Sequence, residues 1–157
     1  MSGGSAAPGG PLGILAGGGV LPAEVARAVR AGGRPVVVLA IAGEAAPELN
    51  EFAPVWLKRG QLGRLFAACR AAGVRELVVI GAIRERRLPR LAECDLAGLW
   101  HVWRNRRLLR SGDDGVLRRV ARLLEAGGLR LVGAAEVAPA LVAPAGGPPR
   151  RNHCVRA

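Results

Sequence analysis

Short apolar runs alternate along this chain with longer stretches in which apolar residues recur every three or four positions, and glycine or proline marks most of the changes. The short runs signal strands and the longer stretches signal helices, so their alternation predicts βαβ units: an α/β, Rossmann-like, mainly parallel sheet with helices on both faces. Leu12 to Leu15 is the first expected strand. A helix from Pro22 to about Ala31 follows, with Leu21, Val25 and Val29 at four-residue spacing, and Gly32-Gly33 stops it. Pro35 to Ile41 is the second strand, and its unbroken Val36-Val37-Val38-Leu39 run suits a parallel strand covered on both faces.

Gly43 to Pro54 reads as a loop, then a short strand spans Val55 to Lys58 and a helix runs from Gln61 to Ala72 with Leu62, Leu65, Phe66 and Cys69 as its buried stripe. Gly73 ends that helix. Glu76 to Ile80 is the next core strand, and beyond Gly81 comes a basic loop carrying Arg84, Arg86, Arg87 and Arg90, just past the strand end at which open α/β sheets bind ligands. A helix from about Asp95 to Arg110 sets Leu96, Leu99, Trp100 and Trp103 on one side and arginines elsewhere. A core helix with solvated arginines is the commoner meaning of that pattern. Docking on an anionic membrane with tryptophans at the interface is the other. Ser111-Gly112-Asp113-Asp114 then opens a helix with Val116, Leu117, Val120, Leu123 and Leu124 as its stripe, and Leu129 to Val132 is the last expected strand. From Pro139 onward prolines and glycines break the pattern. The expected organisation is a disordered leader over residues 1–11, an α/β domain over 12–144 and an irregular tail over 145–157.

Leu12-Gly13-Ile14-Leu15-Ala16-Gly17-Gly18-Gly19-Val20-Leu21-Pro22 is the segment with the clearest chemistry: a strand, a glycine turn and a helix start. Glycines allow a tight turn and close approach of a ligand, and Pro22 suits a first helical turn. The free N–H groups and the dipole of the helix that follows favour an anion. The dinucleotide fingerprint is incomplete, because its third glycine is replaced by Pro22, and no Gly-Lys-Ser/Thr follows that would make a nucleoside triphosphate loop. A tight strand-to-helix connection without a ligand is the alternative.

Composition narrows the rest. A chain of 157 residues is one domain's worth, and no run of apolar residues approaches a membrane span. Residues 1–11 lack the basic and apolar regions of a signal peptide, so a cytoplasmic location is expected. The net charge of +11 is carried almost entirely by arginine, with Lys58 the one lysine; it fits phosphate, nucleic acid or an anionic membrane, and equally a compositional bias on solvated faces. Outside the leader Ser111 is the one side-chain hydroxyl, and His101 and His153 are the two histidines, which argues against a serine triad or a multi-histidine metal site. Cys69, Cys94 and Cys154 have no disulfide or zinc spacing, and Cys69 falls on an apolar helix face.

Asp113 and Asp114 are the adjacent carboxylates at which a magnesium ligand would be sought, although neighbours on a helix diverge and capping explains them as well. Glu44 follows the second strand where a ribose-binding acid belongs, with a solvated loop glutamate the commoner meaning, and Lys58, Arg59, Gln61 and Arg64 surround Gly60 at another strand-to-helix turn, where they could supply charge to a diphosphate or, more commonly, be surface charge alone.

Taken with Gly60-Gln61-Leu62-Gly63-Arg64-Leu65-Phe66, Gly112-Asp113-Asp114 and Val132-Gly133-Ala134-Ala135-Glu136-Val137, the first glycine segment resembles the LpxI family of UDP-2,3-diacylglucosamine pyrophosphatases of lipid A synthesis. The likeness runs in order from about Leu12 to Gly146. It implies a magnesium-dependent hydrolase in which water attacks the α-phosphorus of the UDP-sugar, releasing UMP and 2,3-diacylglucosamine 1-phosphate. It also implies a second, C-terminal catalytic domain that is absent from this sequence, leaving this chain the substrate-binding domain. Gly17, Gly18, Gly19, Gly60, Asp113 and Asp114 are then the expected substrate-binding positions, with no catalytic residue assigned. The implied partner is a UDP-sugar lipid, with peripheral contact to an anionic inner-membrane surface and self-association both compatible. The alternative is a non-catalytic module that binds a nucleotide or nucleic acid; two Phe, three Trp and no Tyr are few aromatics for base stacking.

Overall fold

A computed structural model describes residues 10–82, 91–107 and 116–142. Five strands, β1 (Leu12–Ala16), β2 (Val36–Ile41), β3 (Val55–Leu57), β4 (Glu76–Ile80) and β5 (Arg130–Leu131), form one sheet in the order β3-β2-β1-β4-β5. All four pairings are parallel, and β1 is the hub: Leu12 aligns with Val36 on one side and Glu76 on the other, and Ala16 with Ala40 and Ile80. The expected α/β, Rossmann-like sheet is therefore present. Its strand order reverses between β1 and β4, the switch point of such sheets.

Side chains alternate across a strand, and a strand covered on both faces feeds two cores. Leu12, Ile14 and Ala16 of β1 point with Val38, Ala40, Val78 and Ile80 toward α1 (Leu21–Ala31), whose Val25, Ala26 and Val29 complete that core. Leu15, Leu39 and Leu77 face the other way, onto Leu65 and Cys69 of α2 (Leu62–Ala72) and Leu124 of α4 (Val116–Ala126). Gly32 and the left-handed Gly73 end α1 and α2 where the glycines predict. The expected stripe of α4 is present in Leu123, Leu124 and the partly buried Val120.

Three segments differ from the sequence expectation. The stretch Gly43 to Pro54 is not all loop, because Pro47–Phe52 winds into a 3₁₀ turn that buries Leu49. Residues after β5 form two one-turn helices, α5 (Ala134–Val137) and α6 (Pro139–Val142), and Ala134, Val137 and Ala138 close the α1 core; Pro139 starts a helical turn where the sequence pattern reads as broken. The helix expected to reach Arg110 is α3 (Leu96–Arg104), with Asn105 capping its end and Asn105–Arg107 in a turn.

Cys69 is the small buried hydrophobe its position predicts, 2% exposed, and burial pushes its thiol up to about 11. The folded protein holds this proton more tightly than the unfolded chain. Its contribution to stability is complete below the ordinary thiol pKa and is lost as pH rises through about 11. Melting temperature should therefore fall more steeply with alkaline pH in the native sequence than in Cys69→Val. Equal slopes would show that this thiol does not ionise on unfolding. Iodoacetamide at pH near neutrality should leave Cys69 unlabelled until the chain is unfolded.

Candidate functional site

In an all-parallel sheet every strand-to-helix connection emerges at the carboxyl edge. Three of the four motif segments in the sequence do so here, after β1, after β3 and after β5. Asp113 and Asp114, in the fourth, lie outside the described residues, as do Arg84, Arg86, Arg87, Arg90, His153 and Cys154.

The first loop divides into a braced part and an open tip. Gly17 N–H donates to Ile80 O at 2.8 Å, and Gly18 exchanges bonds with Ala82 in an isolated antiparallel bridge, at 2.8 and 3.0 Å. Both residues are buried, and the chain approaches them closely: a Cβ on Gly17 would lie 2.8 Å from Ala82 O, and one on Gly18 would lie 3.0 Å from Glu44 O. These two glycines thus lock β1 to β4 at the switch point and direct their N–H groups into the sheet end, not toward a ligand. Gly19 differs. Its φ is +98°, nothing stands within 4 Å of where its Cβ would be, and it begins an exposed Gly19-Val20-Leu21 tip at the start of α1. Among the described residues the N–H groups of this tip have no acceptor, and Val20 supplies no side-chain cap. That is where a phosphate could sit, on open donors at the positive end of a helix dipole. Pro22 occupies the first turn, as predicted, and is buried.

Glu44 lies against Gly18 of the braced part through its backbone oxygen, and its N–H donates to Ile41 O at 3.1 Å, so the β1 and β2 connections meet.

The second turn is arranged otherwise. Gly60 is left-handed, at φ +91°, and Gln61 closes the turn by accepting Lys58 N–H on its Oε1 at 2.9 Å. The start of α2 is already occupied. Asp95 Oδ1 accepts Gly63 N–H at 3.0 Å and Oδ2 accepts Arg64 N–H at 2.8 Å, while Oδ1 also accepts Gly98 N–H at 2.7 Å. One carboxylate therefore caps α2 and α3 together, and the α2 terminus is not open to a ligand phosphate. Gly63 and Gly98 let the helices come this close: a Cβ on Gly63 would lie 2.6 Å from Ala97 Cβ, and one on Gly98 would strike the Asp95 carboxylate and stand 3.2 Å from Gly60 O. Sequence reading missed Asp95 as a bracing residue. Its signal was an acid three residues before Gly98 and directly ahead of an apolar run.

His101 is structural. Its Nε2 carries the proton, since it donates to the carbonyl of Leu123 at 2.8 Å, and its ring lies 4.8 Å from Phe66. Among the described residues no group of three or more His, Cys, Asp or Glu could hold a metal ion. A shallow hollow of about 300 Å³ lined by Phe66, Cys69, Arg70 and Gly127 opens at the opposite, amino edge, where it brings no acid–base pair together. The carboxyl edge is the better candidate on chemistry.

Two comparisons bear on the chain as a whole. The family model of the LpxI N-terminal domain matches residues 11–141. The UDP-2,3-diacylglucosamine pyrophosphatase LpxI of Caulobacter vibrioides is 33% identical over 135 residues, covering 86% of this chain and 48% of that protein. The chain thus spans about half the length of the curated relative it matches.

Proposed function

This chain belongs to the LpxI family, and from that membership we propose that it supplies the N-terminal, substrate-binding domain for hydrolysis of UDP-2,3-diacylglucosamine in lipid A synthesis. The observation that carries the proposal is the open Gly19-Val20-Leu21 tip beside the switch point of the sheet, the place where α/β folds hold phosphates. In this reading the tip's N–H groups take oxygens of the diphosphate, and Gly17 and Gly18 fix the tip by their bonds to Ile80 and Ala82. Gly60 shapes the neighbouring turn under the Asp95 brace. The chain binds and orients; no described residue is assigned to attack on phosphorus. Magnesium remains part of the proposal as a requirement of the whole reaction. The described residues offer it no acidic cluster, and no step is routed through it.

A substitution with opposite effects on folding and binding tests the phosphate site. Val20→Asp puts a carboxylate at the uncapped start of α1, where it complements the dipole and excludes an anion. Melting temperature should hold or rise, while affinity for UDP measured by calorimetry falls by ~10-fold or more, a change of ~1.4 kcal/mol. Unchanged UDP affinity would remove the tip from the site. UMP release from UDP-2,3-diacylglucosamine with magnesium, assayed for this chain alone and joined to the C-terminal half of a family member, tests the division of labour. Activity confined to the joined protein is expected, and inactivity of both folded proteins would overturn the enzymatic reading.

A further inference from the structure

Helix α3 wears its apolar side outward. Its small and polar side holds it in place: Gly98 N–H donates to Asp95, His101 donates to Leu123 O, and Gly98 is its buried residue. On the opposite side Leu96, Trp100 and Trp103 recur at i, i+4 and i+7 and are 85%, 54% and 62% exposed. The core role expected of the tryptophans is therefore corrected: the hydrophobic stripe is real, but the protein is on its other side. A contiguous apolar face of this kind on a short helix marks an interaction surface.

The surroundings select the occupant. The Arg104 guanidinium lies 5.1 Å from the Trp100 ring and that of Arg106 lies 4.7 Å from Trp103, with Arg107 exposed next to them. No Asp or Glu occurs from Leu96 to Arg107, and the carboxylate of Asp95 is turned inward onto three N–H groups. Tryptophans at the boundary, an aliphatic side chain projecting furthest and arginines folded along the rings are the makings of a helix lying in an anionic lipid interface. A second copy of the chain would set like charges against each other. A nucleic acid would leave Leu96, the most exposed of the three and without a ring for stacking, unused.

We propose that α3 docks the protein on anionic phospholipid, with Leu96, Trp100 and Trp103 at headgroup depth and Arg104 and Arg106 on lipid phosphates. Because Gly98 packs against the Gly60 turn and Asp95 caps α2, the start of α3 lies at the carboxyl edge of the sheet. Docking thus brings the phosphate tip's edge to the bilayer; that consequence rests on the function proposed above, and the docking itself does not.

The test uses the full chain and vesicles free of UDP-sugar, so its outcome is independent of substrate binding. Sedimentation with phosphatidylglycerol vesicles should show binding that weakens with salt and is lost on pure phosphatidylcholine. Trp100→Glu with Trp103→Glu should lower partitioning by ~10-fold or more with an unchanged melting temperature, since both side chains are exposed. In a Trp56→Phe background, brominated acyl chains should quench the remaining emission. Equal partitioning of variant and native chains, or absence of quenching, would overturn the proposal. So would a dimer that the double substitution dissociates, or RNA displacing the vesicles through the same residues.

Discussion

Gly81→Ala should be among the most damaging single-methyl changes at the described glycines, lowering stability by ~3–5 kcal/mol and the melting temperature by roughly 6–20 °C. Gly81 has a φ of +104°, and an added Cβ would lie 2.8 Å from both Gly17 C and Gly18 O. Both neighbours are backbone, so no side chain can swing aside. Relief requires the ends of β1 and β4 to separate, and that breaks the paired Gly18–Ala82 bonds, each worth ~1 kcal/mol. Gly19→Ala is the matched control. Its φ of +98° is nearly the same, but the site is open, so it carries the conformational strain alone, ~1 kcal/mol or somewhat more. The difference between the two melting temperatures isolates the close approach. Equal effects would mean that the bridge at the switch point contributes nothing. UDP affinity should also fall in Gly81→Ala, because the bridge positions the tip.

Much of this architecture was legible because parallel strands bury both faces and leave plain apolar runs. Val36 to Ile41 and Glu76 to Ile80 fall where such runs were read, and Gly73 ended its helix where a left-handed residue was needed. The division of the glycine loop was not legible. Whether Gly17 and Gly18 offer their N–H groups to a ligand depends on Ile80 and Ala82, which lie at and just beyond the end of a strand far along the chain, and no local pattern encodes that pairing. The outward turn of α3 was hidden for a related reason. A period of 3.6 residues defines a stripe, but the side facing the protein is set by Gly98, Asp95 and His101, whose partners are Gly63, Arg64 and Leu123. The small helices α5 and α6 were missed because one turn carries no periodicity, and Pro139 reads as a breaker although it is tolerated in a first turn.

Asp95→Ala should be nearly as severe as the Gly81 change, at ~2–4 kcal/mol, and its effect should depend on the anion in solution. Removing the carboxylate strips Gly63 and Arg64 of α2 and Gly98 of α3 of their acceptor at once, and loss of a single cap costs about 1 kcal/mol. Asp95→Asn can keep Oδ1 for Gly63 and Gly98 and should recover part of the loss, but the amide nitrogen that replaces Oδ2 cannot accept Arg64 N–H. With the carboxylate gone, the α2 terminus becomes what the sequence suggested for the Gly60 turn: open N–H groups beside Lys58, Arg59 and Arg64 at a positive helix end. Sulfate should then raise the melting temperature of Asp95→Ala more than that of the native chain, against chloride at equal ionic strength. An equal response would mean that the native carboxylate is not what keeps anions out. The native protein thus closes one of its helix starts with its own carboxylate and leaves the start of α1 open. That contrast, two helix starts at one sheet edge with one self-capped, is the physical argument for the proposal that Gly19 to Leu21 hold a phosphate.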